Sequence, residues 1–206
     1  MMLPLFFTAI AAALAVFSLT TSAVATQSIP LSTTLITPED LPGEWAEEPP
    51  SEDDDDTSAL CGIESSLQLG SATEAGEVAY SQGRLGPVLH HVVSRTSAAG
   101  AVMEGVRALP VPCEWTATDD EGVATTWTMD VLPFPSFGDE TLAFRLRTTL
   151  DDIAYLETDL VFVRYGDVVS VLSIASVGVL SPPESQTALL ESLATLADER
   201  LVAVTR

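Results

Sequence analysis

The chain reads as an α+β protein: a curved antiparallel sheet of about six strands, with two main helices packed on one of its faces. Three observations predict this. Six segments rich in Val, Thr, Phe and Tyr follow one another with turn residues between them. Two other stretches carry apolar side chains at helical spacing. The connections between consecutive strands are short, which favours antiparallel pairing, and two amphipathic helices then have an apolar sheet face to cover.

The first 25 residues, MMLPLFFTAIAAALAVFSLTTSAVA, contain no charged side chain. Their apolar run from Leu3 to Leu19 ends in the polar Thr20, Thr21 and Ser22. Ala23-Val24-Ala25 then fits the A-x-A pattern of a signal peptidase site, although the usual basic n-region is missing. The run is slightly short of the roughly 20 apolar residues that span a bilayer, so cleavage is expected rather than retention as an anchor. The expected product is secreted or held at the outer cell surface, and only a retained signal segment would touch a membrane.

Residues 26–56 form a polar lead-in and an acidic loop. Within them TPEDLPGEW has Thr37 as a cap, Pro38 at a first helical position and Pro42-Gly43 as a stop. Leu41 and Trp45 are the expected anchors onto the domain, which occupies residues 57–206. Glu47 to Asp56, EEPPSEDDDD, is the most charged stretch. Clustered carboxylates suit calcium, but the spaced ligand ladder of a calcium loop is missing, so a solvated, self-repelling loop is the expected state.

Strands are expected at EVAYSQGR (77–84) and PVLHHVVSR (87–95), with Gly86-Pro87 between them. SAAGAVMEGVRAL, Ser97 to Leu109, follows as a helix with Ala98, Ala101, Val102, Val106 and Leu109 on one stripe, and it stops at Pro110. Four further strands come next: VATTWTMDVL (123–132), ETLAFRLRTTL (140–150), AYLETDLVFVRY (154–165) and DVVSVLSIAS (167–176). Gly166-Asp167 marks a tight hairpin between the last two. A final helix starts near Pro182-Pro183, striped by Leu189, Leu193, Leu196 and Leu201.

Charge and cysteine content limit the function. The formal net charge is −22, with eight basic residues, all of them arginine. Such a surface repels nucleic acid and anionic membranes. Cys61 and Cys113 are the only cysteines, and in an exported chain two cysteines most simply form one structural disulfide. Neither is placed near the leader for lipid attachment.

No catalytic set is evident. His90 and His91, the only histidines, are strand neighbours and point to opposite faces, so they cannot share one metal site or triad. No G-x-S-x-G elbow exists. The acidic pairs at Asp119-Asp120-Glu121, Asp139-Glu140 and Asp151-Asp152 sit at turns, where Asp suits the backbone and water solvates the charge. Neither a metal site nor a cofactor is expected.

The arginines of the strand 140–150 are the remaining candidates. Phe144, Leu146 and Thr148 face one way, toward the core; Arg145, Arg147 and Thr149 face the other, toward solvent or a groove. With Arg164 on the next strand they would form a basic island able to hold a carboxylate or phosphate bidentately. Asp130, Glu140 and Glu157, on neighbouring elements, can instead pair with them, and cross-strand ion pairing is the commoner use of such residues.

Several segments together resemble one family. LITPEDLPGEW, Cys61-Gly62, the helix ending shortly before Cys113, FGDETLAFR, and LVFVRYGDVVSVL before a leucine-striped helix are similar to the PknH-like extracellular sensor domain of actinobacteria. The likeness covers roughly residues 35–204. It implies an α+β domain with a cleft between sheet and helices that accepts an extracellular ligand, without catalysis. The chain departs from the kinase-borne version in having one expected disulfide instead of two and no membrane stalk, so signalling would need a partner. The leading expectation is therefore a secreted, non-enzymatic binding module for a small molecule or cell-envelope component, with Arg145, Arg147 and Arg164 as its polar fixtures. The alternative is a surface interaction protein whose acidic loop, 47–56, contacts a cationic or calcium-bearing partner.

Overall fold

A computed structural model describes residues 29–49, 61, 72–83, 85–118, 123–150, 153–177 and 183–205. The expected signal segment, most of the acidic loop, and the acidic turns expected at 119–121 and 151–152 lie outside the described residues.

The strands are β1 (Ala46–Glu47), β2 (Glu74–Ser81), β3 (Val88–Arg95), β4 (Cys113–Thr118), β5 (Ala124–Val131), β6 (Glu140–Leu150), β7 (Ile153–Tyr165) and β8 (Val168–Val177). Among the described residues they form one sheet of eight strands in the order β1-β2-β3-β8-β7-β6-β5-β4. Every neighbouring pair is antiparallel. The expected count of about six strands is thus corrected to eight. The two additions are short. β1 has two residues, too few to show any periodicity. β4, CEWTAT, alternates but has six residues directly after Pro110 and Pro112, which break up the pattern.

Among the described residues the α-helices are α1 (Ala99–Arg107) and α2 (Pro183–Thr205). They do not share a face. Val102, Met103 and Val106 of α1 pack with Met129, Phe144, Phe162 and Val169. Leu190, Leu193, Ala197 and Leu201 of α2 pack with Ala143, Val161, Val163, Leu172 and Ile174. Side chains alternate across a strand, so these two sets lie on opposite faces. The connectivity explains it. After β3 the chain must cross to the far edge to begin β4, and α1 makes that crossing over one face. β5 to β8 then return as hairpins to β3, which leaves the other face for α2. Central strands covered on both sides read as nearly unbroken apolar runs, as LVFV and VVSVL do.

Two 3-10 turns, Leu31–Thr34 and Pro38–Asp40, flank an extended link and lie on the α2 side. Leu31, Leu35, Ile36 and Leu41 are buried there, so the segment read as a polar lead-in contributes to the core. Thr37 is tied to Asp40, its backbone N–H and hydroxyl donating to Oδ2 at 2.7 and 3.0 Å. Gly166 takes φ +61° in the two-residue turn that joins Tyr165 to its partner Val168, a conformation favouring glycine.

Cys61 and Cys113 are joined by a disulfide with Cα atoms 5.6 Å apart, tying a residue 52 positions upstream to the first residue of the edge strand β4. On the chain-entropy model such a closure is worth about 4 kcal/mol. Cys61→Ser, or reduction, should therefore lower the melting temperature by roughly 10 °C, checked by calorimetry with and without reductant. Among the described residues no helix is long and apolar enough to cross a membrane.

Candidate functional site

Arg145 and Arg147 alternate onto the same face of β6, as their spacing predicts, and that face is the one α2 covers. Arg145 is clamped. Its Nε and Nη2 donate to the two carboxylate oxygens of Asp159 at 2.7 and 2.8 Å, and Nη2 also reaches Thr187 Oγ of α2 at 2.5 Å. The Thr187 hydroxyl donates in turn to Asp159 at 2.7 Å. Glu157 lies 3.3 Å from the same guanidinium. The hydrogen bond and charge of Asp159 raise the Arg145 pKa further above its already high value, against the opposing effect of burial. Arg147, nearer the edge of α2, bonds Glu157 at 3.0 Å and Asp130 at 3.1 Å. The result is a ladder of alternating charges across β5, β6 and β7.

Arg164 lies on the opposite face, so the three arginines do not form one basic island. On β7 it pairs in register with Glu140 and lies 3.4 Å from Asp139 and 3.7 Å from Glu140. Glu140 also takes an ion pair from Arg107 at the end of α1. Each of the three is therefore engaged by carboxylates, which is the pairing reading of the sequence. Asp130, Glu140 and Glu157 were legible as partners. Asp159 and Thr187 were not, because their proximity depends on strand register and on where α2 lands.

The histidines separate as expected. His90 is exposed, 3.6 Å from Glu77. His91 is fully buried beneath the N-terminal segment. Its Nδ1 accepts the backbone N–H of Ile36 at 3.1 Å, so the ring proton resides on Nε2, which faces Ser170 Oγ at 3.1 Å. Burial, then the nearby Arg200 charge, lowers its pKa from 6.5 to about 4. This His–Ser pair points into the core and pins the chain's N-terminal segment.

Among the described residues, three surface clefts bear on binding. The first, about 290 Å³, lies at the end of β5 below the exit of α1, with Leu109, Val131, Leu132, Phe134 and Phe144 as walls and Arg107 at its rim. The second, about 490 Å³, is polar and runs between the β7–β8 turn and the end of α2. Its carboxylates are each engaged: Asp139 with Arg164 and the Gly166 N–H, Asp167 with Arg95, and Asp198 with the Tyr165 hydroxyl. Burial, then that hydrogen bond, raises the Tyr165 pKa and keeps the phenol protonated. The third, about 270 Å³, lies between Trp45 and the first turns of α2. Among the described residues no group of three or more potential ligands is placed to hold a metal ion.

Arg107 escaped sequence reading because a basic residue in the last turn of a helix already has a reason to be there, facing the negative end of the helix dipole. The chain matches no protein-family model and none of the curated proteins compared with it.

Proposed function

We propose that the chain is a non-enzymatic binding module that works outside the cytoplasm, in the manner of the sensor domains its sequence resembles. Its ligand is a mainly apolar small molecule or envelope component, and the cleft at the end of β5 receives it. The observation that carries this reading is the composition of that cleft: aliphatic and phenyl walls, with a cation at the rim supported by the Arg107–Glu140–Arg164 chain. Concave apolar walls with few polar fixtures are the usual form of a small-molecule site. The disulfide and the leader sequence support the compartment. Arg164 keeps a part, as a prop for Glu140 and hence Arg107. Arg145 and Arg147 have none, since their charge is met by carboxylates under and beside α2.

Val131, 64% exposed on the cleft wall, provides the test. Val131→Glu, which adds bulk and a like charge, should abolish binding of anilinonaphthalene sulfonate, an apolar anion, and leave the melting temperature within about 1 °C, as expected for a surface change. Undiminished probe binding by the variant would remove this cleft from consideration.

A further inference from the structure

We infer a second binding site, in the cleft between Trp45 and α2, that takes the ring of a neutral sugar. It uses other residues than the cleft at the end of β5, and the two stand or fall separately.

The site begins with the N-terminal segment. Ile36 is held at both ends of its peptide unit, its N–H by His91 and its carbonyl by the Tyr80 hydroxyl at 3.1 Å. Arg200 of α2 donates to Leu35 O at 2.7 Å and to Asp40 at 2.8 Å. With Leu41 buried, the Pro42-Gly43 turn then delivers Trp45 beside the start of β1. The indole N–H donates to Pro42 O at 3.0 Å. That bond occupies the ring's one polar group and fixes the ring, leaving an apolar platform that needs no reordering when a ligand arrives.

The rest of the described lining is neutral. Ile174 and Leu189 supply apolar contact, and Ser176, Gln82 and Gln186 supply hydroxyl and amide groups. Gln186 is buried and held in place, its amide N–H groups donating to Ile174 O at 3.0 Å and Glu157 O at 3.4 Å, while Ser176 bonds its carbonyl oxygen. Gln82 is exposed at the rim.

Among the described residues no charged side chain lines this cleft, in a chain with 30 acidic residues. Anions are disfavoured by the field of the whole molecule. A cation would lose water with no carboxylate to receive it. A neutral ligand remains. An aromatic platform opposite an exposed amide matches a pyranose: its C–H face lies on the indole, its hydroxyls donate to and accept from Gln82, and the oxygens of Ser176 and Gln186, whose own O–H and N–H groups are already engaged, are left to accept. A volume of about 270 Å³ suits one ring with a short substituent and excludes an extended peptide.

The test uses the secreted chain with its disulfide intact. It is applied to an array of neutral and acidic glycans, and neutral hits are titrated by Trp fluorescence and saturation-transfer NMR against a tetraproline peptide. Saturable binding of a neutral glycan is expected, weakened about tenfold or more in Trp45→Ala. Gln82→Ala, at an exposed side chain, should weaken it several-fold without altering the melting temperature. Val131→Glu should leave it unchanged. Retention of no glycan, preference for acidic glycans, tighter binding of tetraproline, or equal affinity in Trp45→Ala and Gln82→Ala would each overturn the inference.

Discussion

Arg145→Ala should cost about 3–5 kcal/mol of folding stability, while Arg147→Ala, two residues away on the same face, should cost under about 1 kcal/mol. The difference lies in what each leaves behind. The Asp159 side chain is 0% exposed, and the Arg145 side chain that neutralises it is 14% exposed. Removing the guanidinium strands a carboxylate under α2, where Thr187 alone cannot replace two charge-assisted bonds. Arg147 is 46% exposed; once it is gone water can solvate the half-exposed Asp130, and the buried Glu157 keeps Arg145 at 3.3 Å. The sequence placed both arginines toward solvent or a groove; the pair with fully buried Asp159 puts Arg145 inside the fold instead. Urea denaturation of the two single variants is the measurement. A combined Arg145→Met, Asp159→Leu protein should recover most of the loss, because a buried ion pair replaced by apolar side chains of similar volume is often neutral. Near-wild-type stability of Arg145→Ala would show that Asp159 is reached by water.

Acidification should act through His91. The fold requires the neutral ring, since Nδ1 must accept the Ile36 N–H. Its pKa is about 4 in the fold against 6.5 for an unperturbed histidine. The unfolded chain therefore binds the proton first. The stability contributed by neutral His91 is complete above about pH 6.5, declines as the pH falls, and levels off below about pH 4; the total is about 3 kcal/mol. The groups around the ring do not compensate. Arg200 is a like charge to an imidazolium, Asp40 is already paired with Arg200, and Tyr80 and Ser170 are neutral. Relief of repulsion in a chain of net charge −22 works in the opposite direction, so the quantity to read is the difference between wild type and His91→Gln. The wild type should lose stability relative to the variant between pH 7 and pH 4.5. Parallel pH profiles would mean that the ring is accessible to protons in the folded state. The first structural consequence should be loss of protection of the Ile36 amide, followed by hydrogen exchange.

The antiparallel hairpins from β5 to β8 and the two helices were legible because each is long enough to show a period. In α2 the expected stripe of Leu189, Leu193, Leu196 and Leu201 is rotated: the fully buried positions are Leu190, Leu193 and Leu201, with Leu189 and Leu196 partly buried. A leucine-rich helix has more apolar residues than its contact line needs, and only the sheet beneath selects among them. The disulfide followed from there being two cysteines. Trp45 was read as an anchor, which is half of its place here; the neutral cleft beside it combines residues from four separate parts of the chain.

By itself, then, the sequence determined the class of elements, their antiparallel succession, the sulfur bridge and the direction in which each strand side chain points. Tertiary structure alone decided which face each helix covers, and with it the state of Arg145. Alternation along a strand says that two faces differ, but not what comes to lie on them. That depends on the route α1 takes to the far edge and on the strand register that sets Arg145 opposite Asp159. Both arise from contacts between residues far apart in the chain, where local periodicity carries no information.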